Sequence, residues 1–454
     1  MMKKTFVLLL LCSLMACNKK LDLKPNTGIV LPRSIKEFEA MLDNTEIINT
    51  TPALNQISGD EYFIASLKDW QALPQATARN AAIWAKDIYA GENKIADWNR
   101  SYAAVFYANN VLELVSGQGA DLDSDRRRIR GWAFFVRAYH FYWLVSTFAV
   151  AYDPATAGAD LGIPLKLSPN VDELVPRSSL QKSYEQIIAD CSQAAELLNE
   201  GLVAGKKNRP SKVAAQALLA RVYLSMRRYE LAEAAADRAL AGYSRLIDFN
   251  ILSTTAANAF NFNSEEVIFF SQQNNLYSQI TSRASVIYGI DPALIALYEP
   301  GDLRLNIYFQ KNALGNYNMK PVNSGAIFPF TGLATDELYL IKAECLARKG
   351  DASGAMAYLN DLLKMRMRTG TFLAKGAADA ADALEQVLAE RRKALVWRSL
   401  RWTDLKRLNA EGRNIVLRRR LDEQTFSLEP LSPRYALPIP DDEIALSGVA
   451  QNPR

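Results

Sequence analysis

The sequence predicts a mainly α-helical protein in which tetratricopeptide-like helical hairpins pack against an irregular, loop-rich half with few short strands. Three observations support this. Apolar and aromatic residues recur at helical steps over long stretches, and two distant segments share one spacing of small residues. Between those segments, residues 248–330 are rich in Asn, Gln, Tyr, Phe and Gly and show only short apolar runs such as Val267-Ile268-Phe269-Phe270.

The chain has 454 residues, 49% hydrophobic and 22% charged, so burial does not limit stability and no disulfide or metal staple is needed. Lys and Arg number 53 against 49 Asp and Glu, evenly mixed, without the basic stripe of a nucleic-acid binder. A single histidine, His140, excludes histidine-rich metal sites and two-histidine motifs.

From the N-terminus, Lys3 and Lys4 precede the apolar run Phe6 to Leu11, which is too short to span ~30 Å of hydrocarbon and reads as a targeting segment. Leu14-Met15-Ala16-Cys17 fits the bacterial lipoprotein pattern, in which the cysteine sulfur is acylated after cleavage. Two or more acyl chains suffice for stable anchoring. Residues 94–116 place Trp98, Tyr102, Val105, Asn109 and Leu112 on one stripe. Asn109 on that stripe, if buried, must be hydrogen-bonded, and reads as a tie to a neighbouring loop. Residues 125–148 carry two apolar stripes, so this helix is packed from both sides. A further helix starts after Pro176, with Ser178 or Ser179 as its N-cap.

Segments 211–241 and 335–367 share the spacing Ala220, Tyr223, Ala232 and Ala343, Leu346, Ala355, with turns at Arg227-Arg228 and Gly350-Asp351. In such hairpins small residues let two helices approach and bulky ones fill the groove. A long helix is expected over 381–409, followed by a proline-punctuated tail.

The sequence shows no catalytic constellation. His140 lies between Tyr139 and Phe141 and reads as structural, and Asp441-Asp442-Glu443 lacks the spaced ligands and turn glycine of a calcium loop. Arg418 to Arg420 read as a solvated face, and Trp397 and Trp402 as packing residues. Aromatic faces and planar polar groups in loops, not already spent on a helix stripe, are candidates for holding a ligand. Two regions supply them: 60–89, with Tyr62, Trp70, Trp84 and Tyr89, and 272–288, with Asn274, Asn275, Tyr277 and Tyr288. Trp70 and Tyr277 are the leading candidates.

Several short motifs occur in order along the chain. They are Leu21-Asp22-Leu23-Lys24-Pro25, Val136-Arg137-Ala138-Tyr139 with Ile163-Pro164-Leu165, and Pro176-Arg177-Ser178-Ser179 with Tyr184. Arg209-Pro210-Ser211-Lys212 with Ala217 to Leu224 is the strongest, and Glu390-Arg391-Arg392, Arg401-Trp402 and Leu437-Pro438-Ile439-Pro440 close the series. Together with the lipidation pattern, they resemble the SusD/RagB family of nutrient-binding outer-membrane lipoproteins. Ala394 and Arg398 stand where the family usually has acidic residues, and lysines follow Cys17 where surface-exported members often have an acidic cluster.

The resemblance implies a signal at 1–16, lipidated Cys17 with a tether to residue 33, an N-terminal helical region at 34–247 and a C-terminal region at 248–454. It implies that the hairpins form a curved scaffold. It further implies a non-catalytic protein without cofactor or metal that binds an oligosaccharide or other small nutrient. Such a protein serves as the lid of a SusC-type TonB-dependent outer-membrane barrel, held to the outer membrane by its lipid and facing outward. The competing expectation is a periplasm-facing tetratricopeptide scaffold that binds peptides or proteins.

Overall fold

The computed structural model describes residues 34–116, 123–281, 285–324 and 328–454. Cys17 and its tether lie outside the described residues.

Eight helices form the scaffold: α1 (Ala96–Ser116), α2 (Ser124–Phe148), α3 (Leu180–Leu197), α4 (Lys212–Ser225), α5 (Tyr229–Gly242), α6 (Thr335–Arg348), α7 (Ala352–Lys364) and α8 (Ala380–Ala394). Each packs on the next in chain order, and α8 also returns to α6. Short polar side chains start several of them by taking an orphan amide of the first turn. Asp123 accepts from Arg126 N at 2.8 Å, Ser179 from Lys182 N at 3.2 Å, Ser211 from Ala214 N at 3.2 Å and Asp379 from Asp382 N at 2.9 Å.

The two related hairpins are α4–α5 and α6–α7. Ala220, Ala232, Ala343 and Ala355 are fully buried where the helices approach. Their turns match in conformation as well as offset, since Arg227 (φ 61°) and Gly350 (φ 96°) both adopt the left-handed region. Arg227 is held there by its guanidinium, which donates to Ala410 O at 2.9 Å and Tyr152 O at 3.0 Å. As its two stripes predict, α2 is buried at every residue from Phe135 to Phe148. Gly131 lets α3 come close, because a Cβ there would meet Leu197 Cβ at 2.9 Å.

The other half is held by pairing across long sequence distances. Among the described residues the strands form six two-stranded pairs. Two of these pairs join the chain's early segments to 272–290: Thr50–Thr51 with Gln272–Gln273, and Tyr62–Ile64 with Tyr288–Ile290. One core runs continuously from Phe38 to Val449, across the 247/248 division.

Buried ion pairs fasten this half to the scaffold. Arg398 meets Asp336 at 2.6 Å, Arg407 meets Glu344 and Arg366 meets Glu266, while Arg221 of α4 meets Glu337 of α6 within the scaffold. Arg398 is thus satisfied by Asp336 of α6, and Ala394 packs in the core. Asn109 is the tie its position predicts. Its amide donates to Lys166 O at 2.8 Å and Ser168 O at 3.2 Å, and its oxygen accepts from Arg137.

The expected helix over 381–409 is broken. α8 ends at Ala394 and a second helix runs Arg401–Asn409, with Trp397 (φ 66°) and Ser399 (φ 60°) left-handed between them. Helical periodicity continues through this stretch, but distant side chains take its amides. Glu61 accepts from Trp397 N at 3.2 Å, and Gln56 Oε1 accepts from Ser399 N at 3.2 Å.

Candidate functional site

Three of the sequence-selected aromatics lie inside the loop-rich half, where early and late segments of the chain meet. Tyr62 and Tyr288 lie on paired strands with ring centroids 6.3 Å apart, and Tyr288 stacks on Trp397 at 5.6 Å. Arg419 covers Tyr62 at 4.0 Å and Trp84 at 5.5 Å. The Trp84 indole donates to Ser58 O at 2.8 Å. Tyr62, Trp84 and Tyr288 are buried, so their faces are not presented to a ligand. This departs from the expectation for all three: strand pairing closes over Tyr62 and Tyr288, and Arg419 and Ser58 enclose Trp84, which loop position alone does not reveal. Tyr89 is likewise buried, its hydroxyl donating to Pro438 O. Within the Arg418–Arg420 run only the flanking residues are exposed; Arg419 is the buried cation of this cluster.

The remaining candidates lie around a cleft of about 300 Å³. One wall is the segment after Trp84, where Ala90 (φ 48°), Gly91 (φ 83°) and Lys94 (φ 55°) are left-handed. Carboxylates hold this strained loop. Asp87 accepts from Tyr89 N and Ala90 N, and Asp442 accepts from Lys94 N at 2.9 Å. Glu92 reaches across to the helix Ala76–Ala82, accepting from Ala76 N at 2.7 Å, Thr77 N at 3.0 Å and the Thr77 hydroxyl at 2.6 Å. Burial opposes its charge, but these bonds outweigh it and hold the Glu92 carboxyl below the usual glutamate range.

The opposite wall is Leu276 and Tyr277. Asn274 positions them: its backbone donates to Thr51 O and its side-chain oxygen accepts from Leu276 N. The Tyr277 hydroxyl donates to Asp97 at 3.2 Å, and Asp97 also accepts from Ala53 N and Leu54 N. Burial raises the pKa of both Asp97 and Tyr277. Asn275 is exposed beside this wall. Trp70, half-buried, stands one helix away, its indole donating to Arg79 O at 2.8 Å.

The structure therefore brings Tyr277 into the cleft, puts Asn275 at its edge and uses Asn274 as its turn. It adds Gln75, Asn93, Lys94, Ile95 and Leu276, which sequence reasoning missed. The side chains of Gln75, Asn93 and Lys94 bond to no described residue. The one available signal was the polar, glycine-led run Gly91-Glu92-Asn93-Lys94 between Tyr89 and Trp98.

A second cleft, of about 480 Å³, lies between Lys86–Tyr89 and the chain's last residues. Its walls are largely committed to one another. Arg454 donates to the carbonyls of Lys86, Ala85, Arg434 and Ala436, and Gln451 bonds both N and O of Ile439. His140 is structural: its Nε2 bonds Ile48 O at 3.0 Å, and burial depresses its pKa to about 4. Asp441–Ser447 is a short helix, so the acidic triplet is its first turn. Among the described residues, no group of three or more His, Cys, Asp or Glu is arranged to hold a metal ion.

Residues 19–224 match the family model SusD-like_3, described as starch-binding and associating with the outer membrane, and residues 335–454 match that of the SusD family, SusD_RagB. The chain belongs to the SusD/RagB family. Among solved structures, a putative sugar-binding protein from Bacteroides vulgatus is 20% identical with a TM-score of 0.73, covering 94% of this chain and 99% of its own. A SusD superfamily protein from Bacteroides thetaiotaomicron gives the same identity and TM-score, covering 93% and 100%. Surface glycan-binding protein A from Bacteroides fluxus is 17% identical, with a TM-score of 0.67, covering 93% and 100%. No curated protein matches the chain. At these identities the likeness establishes the fold. No described helix of this SusD-family protein is long and apolar enough to cross a membrane.

Proposed function

We propose that this SusD-family protein is a non-catalytic nutrient-binding lipoprotein, anchored through Cys17 to the outer membrane and facing outward. In this reading it captures an oligosaccharide and acts as the lid subunit of a SusC-type TonB-dependent barrel. The observation that carries the reading is the convergence of 75–77, 91–96 and 276–277 on one cleft with free amides above an apolar wall. Gln75 and Asn93 offer planar donor–acceptor pairs that match vicinal hydroxyls, and Lys94 adds a donor. Leu276, 40% exposed, offers an apolar surface for the C–H side of a sugar ring, with Ile95 and Tyr277 buried behind it. A cleft of this size suits a small ligand.

The carboxylates around the cleft support binding without cleavage. Glycoside hydrolysis needs a reachable proton donor of raised pKa with a second carboxylate opposite. Glu92 is held low and tied to a helix start, and Asp97 lies behind Tyr277 with both oxygens occupied.

The scaffold reading needs an open groove along the hairpins. Here the helices are covered instead: Tyr139 bonds Thr331 O, Arg221 bonds Gly332 O, and α6 is paired to Arg398 and Arg407.

A panel of maltohexaose, xylo-oligosaccharides and short peptides, titrated against purified protein, tests the ligand class. Saturable binding of one glycan series with no product release is the expected outcome. Binding confined to peptides, or sugar release, would contradict it.

A further inference from the structure

The strands Leu161–Pro164 and Arg177–Ser179 pair to form the base of a loop spanning residues 165–176. Leu165 tucks against the core, but Leu167, Val171 and Leu174 are 46%, 73% and 69% exposed. Single exposed aliphatics are ordinary; three within eight residues are a patch. The loop is also built to hold its shape. Asn109 of α1 donates to the carbonyls of Lys166 and Ser168, Arg137 of α2 donates to Asn109, and Asp190 of α3 pairs with Arg137 at 2.7 and 2.8 Å. Beyond this base, Ser168 Oγ accepts from Asn170 N and Asn170 Oδ1 accepts from Asp172 N, each at 3.1 Å. A buried polar network drawn from three helices thus positions a segment that presents apolar side chains to solvent.

We propose that this loop is a protein-docking surface, and that its occupant is an apolar depression rimmed by Lys or Arg. The charge pattern on the loop carries the choice. Asp172 and Glu173 lie between Val171 and Leu174 and make no ion pair with a described residue, so inserting the aliphatics into a bilayer would drag two carboxylates into hydrocarbon. A basic-rimmed protein surface takes both the aliphatics and the acids. The identity of the occupant rests on the transporter reading above, which makes it the barrel subunit.

The test uses full-length, lipidated, C-terminally tagged protein purified from native outer membranes. Wild type is compared with Val171→Ser/Leu174→Ser and with a control, Leu373→Ser/Leu446→Ser, whose residues are equally exposed elsewhere. A photocrosslinking residue at position 171 reports the neighbour. We expect one outer-membrane barrel, identified by mass spectrometry, to be retained by wild type and control, reduced at least tenfold in the loop variant and crosslinked at 171. Equal recovery of the barrel in all three overturns the docking surface while leaving the transporter reading standing. No barrel in any of them, with position 171 crosslinked to lipid or to nothing, overturns both.

Discussion

Asp190, Arg137 and Asn109 show how a single polar contact can organise three helices and a loop. The Arg137 side chain is 8% exposed and that of Asp190 2%. Removing one partner of such a pair leaves the other as a buried, uncompensated charge. Asp190→Ala is therefore expected to lower stability by about 3–5 kcal/mol in urea unfolding. Asn109 was legible in the sequence because a lone amide on an apolar stripe must find partners. Tyr62, Trp84 and Tyr288 were not, because nothing local to a loop aromatic tells whether another strand will cover it.

His140 gives a pH prediction at the same scale. Its folded pKa of about 4 lies below the usual histidine value, so between about 4 and 6.5 the unfolded chain binds the extra proton. Its contribution to stability is complete above pH 6.5 and is lost as pH falls through that window, by up to about 3 kcal/mol. Glu61, raised to about 7 by burial, shifts stability the opposite way with pH. The comparison must therefore be made against His140→Gln, where the other groups cancel. The stability difference between wild type and variant should narrow from pH 7 to pH 4; a constant difference would contradict the assignment.

At the scale of elements, the helices and the paired hairpins were readable because their periodicity and their packing agree. The turns at Arg227 and Gly350 repeat even in backbone conformation. The break between α8 and the helix Arg401–Asn409 was not readable, since it is imposed by Gln56 and Glu61 from a segment far away in sequence. Glu61 accepts from Trp397 N and from the Gln56 amide, so Glu61→Ala strands two buried donors. It is expected to cost about 3 kcal/mol and to speed amide hydrogen exchange at residues 396–400 selectively. Uniform exchange changes across the chain would count against Glu61 as the clamp of this break.

For the whole molecule, the order of motifs identified the family and hence the architecture. The candidate site was only half legible. Residues 272–277 were marked by their amides and tyrosine, but their facing wall falls just past the aromatic cluster that drew attention. Which loops meet is decided by the pairing of 50–64 with 272–290, a tertiary fact that one chain's composition does not encode. The cleft that results is the centre of the functional account. It combines a strained, carboxylate-pinned loop, two free amides and an apolar wall, on a scaffold cross-braced by buried ion pairs.

The most direct test is calorimetric titration of the best-binding glycan against wild type and Gln75→Ala/Asn93→Ala. Both side chains lack internal partners, so the variant should fold as wild type does and its circular dichroism should be unchanged. We predict affinity at least tenfold weaker, about 1.4 kcal/mol, with the binding stoichiometry intact. Unchanged affinity in the folded variant would contradict the placement of the ligand in this cleft.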